Sequence, residues 1–153
     1  MKKLTISTVA LLVLLSEHVY ASVACIELPP VDDFVCNTQG MFINCRLEVE
    51  NGLLKVEIDQ LRGSPPRVTP QEIFACIEKD KKAIQPVYNA AKSALKANKD
   101  GLTALKDLYA YWLSSLDMLI PSLNESKYQY KAKVSERESG LTERGNKLKV
   151  EAQ

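Results

Sequence analysis

Cys45-Arg46-Leu47-Glu48-Val49-Glu50-Asn51-Gly52-Leu53-Leu54-Lys55-Val56-Glu57-Ile58 alternates apolar and polar side chains on both sides of a central Asn-Gly pair. Asn-Gly suits a two-residue type I′ turn, because both central positions need positive φ. Folding about it sets Val49 against Leu54, Leu47 against Val56 and Cys45 against Ile58 on one apolar face. On the other face Glu48 meets Lys55 and Arg46 meets Glu57, opposite charges that fix the register. A helix through the same residues scatters Leu47, Val49, Leu54, Val56 and Ile58 around its circumference. The pattern therefore predicts a β-hairpin with strands at 42–50 and 53–60.

Downstream, Arg62-Gly63-Ser64-Pro65-Pro66 reads as a linker. Thr69-Pro70-Gln71-Glu72 then opens a helix: Thr69 can cap, Pro70 suits the first turn and Glu72 completes a capping box. Ile73, Ile77 and Ile84 share one face with Cys76 at its edge, and Pro86 is expected to kink or restart the helix. Val87, Tyr88, Ala91 and Leu95 carry the stripe to a stop at Asn98-Lys99-Asp100-Gly101. Leu102, Leu105, Leu108, Tyr109, Trp112, Leu113, Leu116, Leu119 and Ile120 form the strongest amphipathic run, ending at Pro121. Ser122-Leu123-Asn124-Glu125 is a second capping box, opening a polar last helix with Val134, Leu141 and Leu148 at heptad spacing and Gly140 and Gly145 weakening it. So thin a stripe suits a helix on the surface, frayed at its end or waiting for a partner, such as a second copy.

Upstream, residues 22 to about 40 read as irregular, and residues 1–21 read as a secretory leader. Lys2 and Lys3 precede an apolar run from Leu4 to Leu15, and Val19-Tyr20-Ala21 offers a cleavage site after Ala21. The run is too short for a membrane anchor, which needs roughly 20 residues. Lipidation at Cys25 is the other alternative, but Ser22 stands where a lipobox wants Leu or Val. Export implies an oxidising compartment, so Cys25, Cys36, Cys45 and Cys76 are expected to form disulfides in one of three pairings. A Cys45–Cys76 bridge would staple hairpin to helix, leaving Cys25–Cys36 to close the irregular segment. Zinc normally takes closely spaced cysteine pairs, and no C-x-x-C redox motif occurs.

The expected fold is therefore α+β: a disulfide-stapled N-terminal β-hairpin packed on a C-terminal helical bundle or long helical hairpin. Residues 22–121 form the domain and 122–153 the polar helix.

Without the leader the chain has 18 basic and 18 acidic residues, so neither nucleic acid nor anionic lipid is an expected partner. The single histidine, His18, leaves with the leader, which removes histidine-based catalysis and histidine metal ligation. No cofactor or metal site is expected. Asp32/Asp33, Glu48/Glu50, Glu57/Asp59 and Glu78/Asp80 could supply a histidine-free carboxylate hydrolase only if two acids faced each other across a cleft. Ser93-Ala94-Leu95-Lys96 matches S-x-x-K but lies within a helix pattern. Tyr111, Tyr128 and Tyr130 fall off the main stripes and are the candidate protein-binding residues.

From Cys76 onward the chain resembles the LprI-type lysozyme-inhibitor domains, which are small exported helical proteins of bacteria. Cys76, Val87-Tyr88, Leu102, Leu105 and Trp112 carry the likeness, over about forty residues, and Thr38-Gln39 ahead of Cys45 resembles that family's start. The chain departs from the pattern at Tyr109-Ala110-Tyr111, in lacking a Cys after Trp112, and in placing a hairpin where the family has helix. The resemblance implies inhibition of a lysozyme and transfers no binding residues. The functional expectation is a periplasmic or secreted non-enzymatic binding or accessory protein of the bacterial envelope, acting on another protein. A structural, dimerising role is the further alternative.

Overall fold

The computed structural model describes residues 25–122 and 124–153; the predicted leader lies outside them. Five helices follow one another: α1 (Pro30–Leu61), α2 (Pro70–Ile73), α3 (Ala75–Ala94), α4 (Lys99–Asp117) and α5 (Lys127–Glu151). No strand occurs among the described residues, so the fold is all-helical and the expected α+β class is wrong.

The predicted hairpin is the second half of α1, and its misreading has a physical cause. The apolar residues belong to two opposite faces of one helix. Cys45 and Val49 are buried and Val56 packs on the core, while Leu54 is half-exposed on the other side. Gly52 is no turn residue: a Cβ there would stand 2.8 Å from Ile73 Cγ1, so the glycine admits α2 against α1. Glycine inside a helix costs roughly 1 kcal/mol, and the Ile73 contact together with the nearby Cys45–Cys76 disulfide offsets it. The expected cross-strand ion pairs are not made. Arg46 reaches Glu138 on α5, and Glu57 pairs with Lys127 at 3.6 Å.

Pro30 in the first turn of α1, followed by Asp32 and Asp33, suits the positive end of the helix dipole. The helix ends at Arg62, and Gly63 takes φ +67°, where residues with a Cβ are strained. Buried Asp59 clasps the following loop: its carboxylate accepts from Arg67 N at 3.0 Å and from Arg67 Nε at 2.9 Å. The Thr69–Glu72 capping box forms as expected. Helix α3 continues through Pro86 as one element instead of restarting. Asn98 caps α4, accepting from Gly101 N at 2.8 Å. The last helix starts later than Ser122 suggests, because Ser126 and Gln129 form the capping box that opens it.

Helices α1, α3, α4 and α5 form a four-helix bundle in which each neighbour runs opposite to the last. Cys45–Cys76 and the Phe34–Tyr88 ring contact join α1 to α3. Lys81–Asp117 joins α3 to α4, Arg144–Asp107 joins α4 to α5, and Lys149–Asp32 closes the ring. The core holds Trp112, Phe34, Phe42, Ile84, Leu105, Leu108, Leu116, Leu141 and Leu148, all fully buried. Each aliphatic member contributes roughly 1.5–3 kcal/mol of burial.

The polar helix expected over 122–153 is α5, and its thin stripe is buried against the bundle. Val134, Leu141 and Leu148 are 3 %, 1 % and 0 % exposed, so this stripe packs within the chain. The two glycines that seemed to weaken α5 are close-approach points. A Cβ on Gly145 would stand 2.8 Å from Val35 Cγ1, and one on Gly140 would overlap the Tyr111 ring.

Candidate protein-binding surface

Helix α1 is apolar on two sides, one fully buried and the other partly exposed. At about 100° per residue, Phe34, Thr38, Phe42, Cys45 and Val49 face inward and are all buried. Gly40, Ile43, Leu47, Leu54, Ile58 and Leu61 lie within about 60° of one another on the opposite side. Leu54 is 47 % and Leu61 82 % exposed, Ile43, Leu47 and Ile58 are partly exposed, and none of these five packs against the core. An ordinary surface helix carries its charges on that side.

Two hollows adjoin this face. One, about 340 Å³, lies at Gly40 between Leu28, Val35, Cys36, Gln39, Ile43 and Lys149. Nothing stands within 4 Å of where a Cβ on Gly40 would be, so the helix surface is flat there. The other, about 490 Å³, lies beside Leu54, between Glu50, Leu53 and Glu57 of α1 and Pro121, Glu125, Lys127, Tyr130 and Lys131 of the α4–α5 turn and early α5. Its mixed charges are mostly engaged: Lys127 pairs with Glu57, and Lys133 behind the rim pairs with Glu125 at 2.8 Å. The Lys133 hydrogen bond holds the Glu125 carboxyl below the usual carboxylate range.

The three candidate tyrosines are not brought together. Tyr130 is 6 % exposed and donates its hydroxyl to Leu119 O at 3.3 Å, so it anchors α5 and offers a partner little surface. Burial, reinforced by Glu50 and Glu125, pushes its phenol up to about 12. Tyr111 packs where Gly140 leaves room, with the Arg144 guanidinium 3.8 Å and that of Arg137 4.9 Å from its ring centre. Tyr128 alone is free, at 83 % exposure.

All four cysteines are bonded, as Cys25–Cys36 and Cys45–Cys76, with Cα separations of 5.9 and 5.4 Å. Two disulfides fit an oxidising, extracytoplasmic compartment. Among the described residues no helix is long and apolar enough to cross a membrane, and no cluster of candidate ligands for a metal ion occurs.

Two features escaped the sequence reading. The Asp59–Arg67 clasp pairs residues eight apart across a loop, which no helical or strand period reveals. Asp80, one member of the Glu78/Asp80 pair, is partly buried on α3; desolvation, opposed by Lys79 and reinforced by Glu48, lifts its carboxyl to about 6. The outward α1 face was legible in principle, since its spacing of three, four, seven, four and three residues is helical. Compared with known proteins, the chain matches no family model, no curated protein and no solved structure.

Proposed function

We propose that this is an exported, non-enzymatic binding or accessory protein of the bacterial envelope, and that it engages another protein through the outward face of α1. The observation that carries this reading is the apolar stripe from Ile43 to Leu61 on the solvent side of a disulfide-braced bundle. Such a face loses water favourably only when a partner covers it. Exposed Tyr128 follows Lys127, which pairs with Glu57 of α1, and extends this contact surface.

A lysozyme inhibitor is one instance of this function. With α1 helical through 42–60, one departure from the LprI-type pattern falls away, while the missing cysteine after Trp112 stands.

The test is capture from envelope extract by the purified chain, by Leu54→Glu and by Leu61→Glu, with bound proteins identified by mass spectrometry. Both positions are exposed enough to take a charge without disturbing the core. A specific partner lost from both variants supports the proposal; equal recovery by all three removes α1 from it. Inhibition of lysozyme in a cell-wall lysis assay, weakened in the same variants, would name the partner class. Deleting 122–153 is unsuitable because α5 supplies part of the core.

A further inference from the structure

Resting on the reading of α1 as a protein-binding face, we infer that the partner it fits is a second copy of this chain, docked antiparallel along α1. The spacing of Gly40, Ile43, Leu47, Leu54, Ile58 and Leu61 is palindromic: three, four, seven, four and three residues. A two-fold axis between Glu50 and Asn51 therefore sets Leu47 against Leu54, Ile43 against Ile58, and Gly40 against Leu61 of the other copy. Self-complementarity of this kind is what an isologous contact demands of a single patch.

Shape agrees with the spacing. Leu61, 82 % exposed, is the most prominent apolar side chain on the face. Its counterpart position is Gly40, where the surface is open and a hollow of about 340 Å³ adjoins it. The protruding leucine of each copy thus meets the flat, hollowed end of the other, at both ends of a seam about 32 Å long.

Charge is compatible with the antiparallel direction. Exposed Glu48 and Lys55 flank the stripe on one side, and Arg46 and Glu57 flank it on the other. An antiparallel pair brings exposed Glu48 beside exposed Lys55 of the other copy, twice, while Arg46 and Glu57 keep their partners Glu138 and Lys127 within the chain. A parallel pair would instead face Leu61 with Leu61 and leave the hollow at Gly40 unfilled, so the shape of the face sets the direction. The one opposing contact is Glu50 near its own copy at the axis, which tempers the association.

The test is sedimentation equilibrium of the disulfide-bonded chain without residues 1–21, from about 1 to about 200 µM, alongside Leu61→Glu, Leu54→Glu and Glu50→Gln. The proposal predicts a concentration-dependent dimer, weakened at least tenfold by either leucine variant and tightened about fivefold by Glu50→Gln. In Asn51→Cys, mild oxidation should link two copies near the axis, while Lys92→Cys, exposed on α3, should not. A monomer at every concentration, or a dimer indifferent to Leu54→Glu and Leu61→Glu, overturns self-association. If that monomer still loses a captured envelope protein through the leucine variants, the binding face stands and only the identity of its occupant fails.

Discussion

Asp80→Asn should stabilise the protein, and only above a definable pH. Partial burial on α3 lifts the Asp80 carboxyl from its ordinary 3.8 to about 6, with Glu48 adding to the effect and Lys79 opposing it. Because the folded state holds this proton more tightly, the group's contribution is fully present below about pH 4 and is lost as pH rises through about 6. The rise of the carboxyl from 3.8 to about 6 corresponds to roughly 3 kcal/mol. Asp80 keeps part of its surface in water, so about 1–1.5 kcal/mol is the reasonable share after screening. Asn is nearly isosteric and uncharged at every pH. It should therefore leave stability unchanged at pH 4 and raise it by about 1 kcal/mol at pH 7.5. Trp112, the single tryptophan and fully buried, reports urea unfolding by fluorescence at both values. An equal effect of the substitution at pH 4 and pH 7.5 would refute the argument, because it would not be linked to a proton.

Other perturbations follow from the same packing. Removing Cys45–Cys76 as a double alanine variant frees a closed loop of separation 31, which chain entropy values at about 3.7 kcal/mol, read as a lower urea midpoint. Gly145→Ala should destabilise despite alanine's better helix propensity, because its Cβ meets Val35; Val35→Ala should relieve part of the loss in a double-mutant cycle. Asn51→Ala, at an exposed position inside α1, should stabilise by about 0.5 kcal/mol, whereas in a type I′ turn it would destabilise.

How legible the fold was depends on how many faces each helix buries. Helices α3 and α4 each bury one stripe, so the outer limits at Thr69-Pro70 and Pro121 lie within a few residues of the mark. The break at Phe74 carries no sequence signal, and the stop read at Asn98-Lys99-Asp100-Gly101 is the capped first turn of α4. Helix α1 is apolar on both sides, so Cys45, Val49 and Val56 pointing inward and Leu47, Leu54 and Ile58 pointing outward merge into a false alternation of period two. Asn51-Gly52 strengthened that illusion, because a glycine kept for close approach to Ile73 looks the same in sequence as one kept for a turn. The cysteine pairing that would staple adjacent layers is nevertheless the one formed, although Cys45 lies on a helix. In α5 the glycines hid the burial, since contact through a missing Cβ leaves no apolar residue to count. Of the three candidate tyrosines, Tyr128 is exposed. Tyr130 could not be assigned to the core without knowing that Leu119's carbonyl would receive its hydroxyl.

The binding face exists only if α1 runs unbroken through residues 42–60, and backbone chemical shifts of the isotopically labelled, oxidised chain test that directly. Helical Cα shifts should continue through Asn51 and Gly52, with sequential amide–amide contacts from Ile43 to Leu61. Extended-strand shifts on either side of a break at 51–52, with contacts between Leu47 and Val56 across it, would contradict an unbroken α1 and dissolve the face on which both the function and the self-association rest.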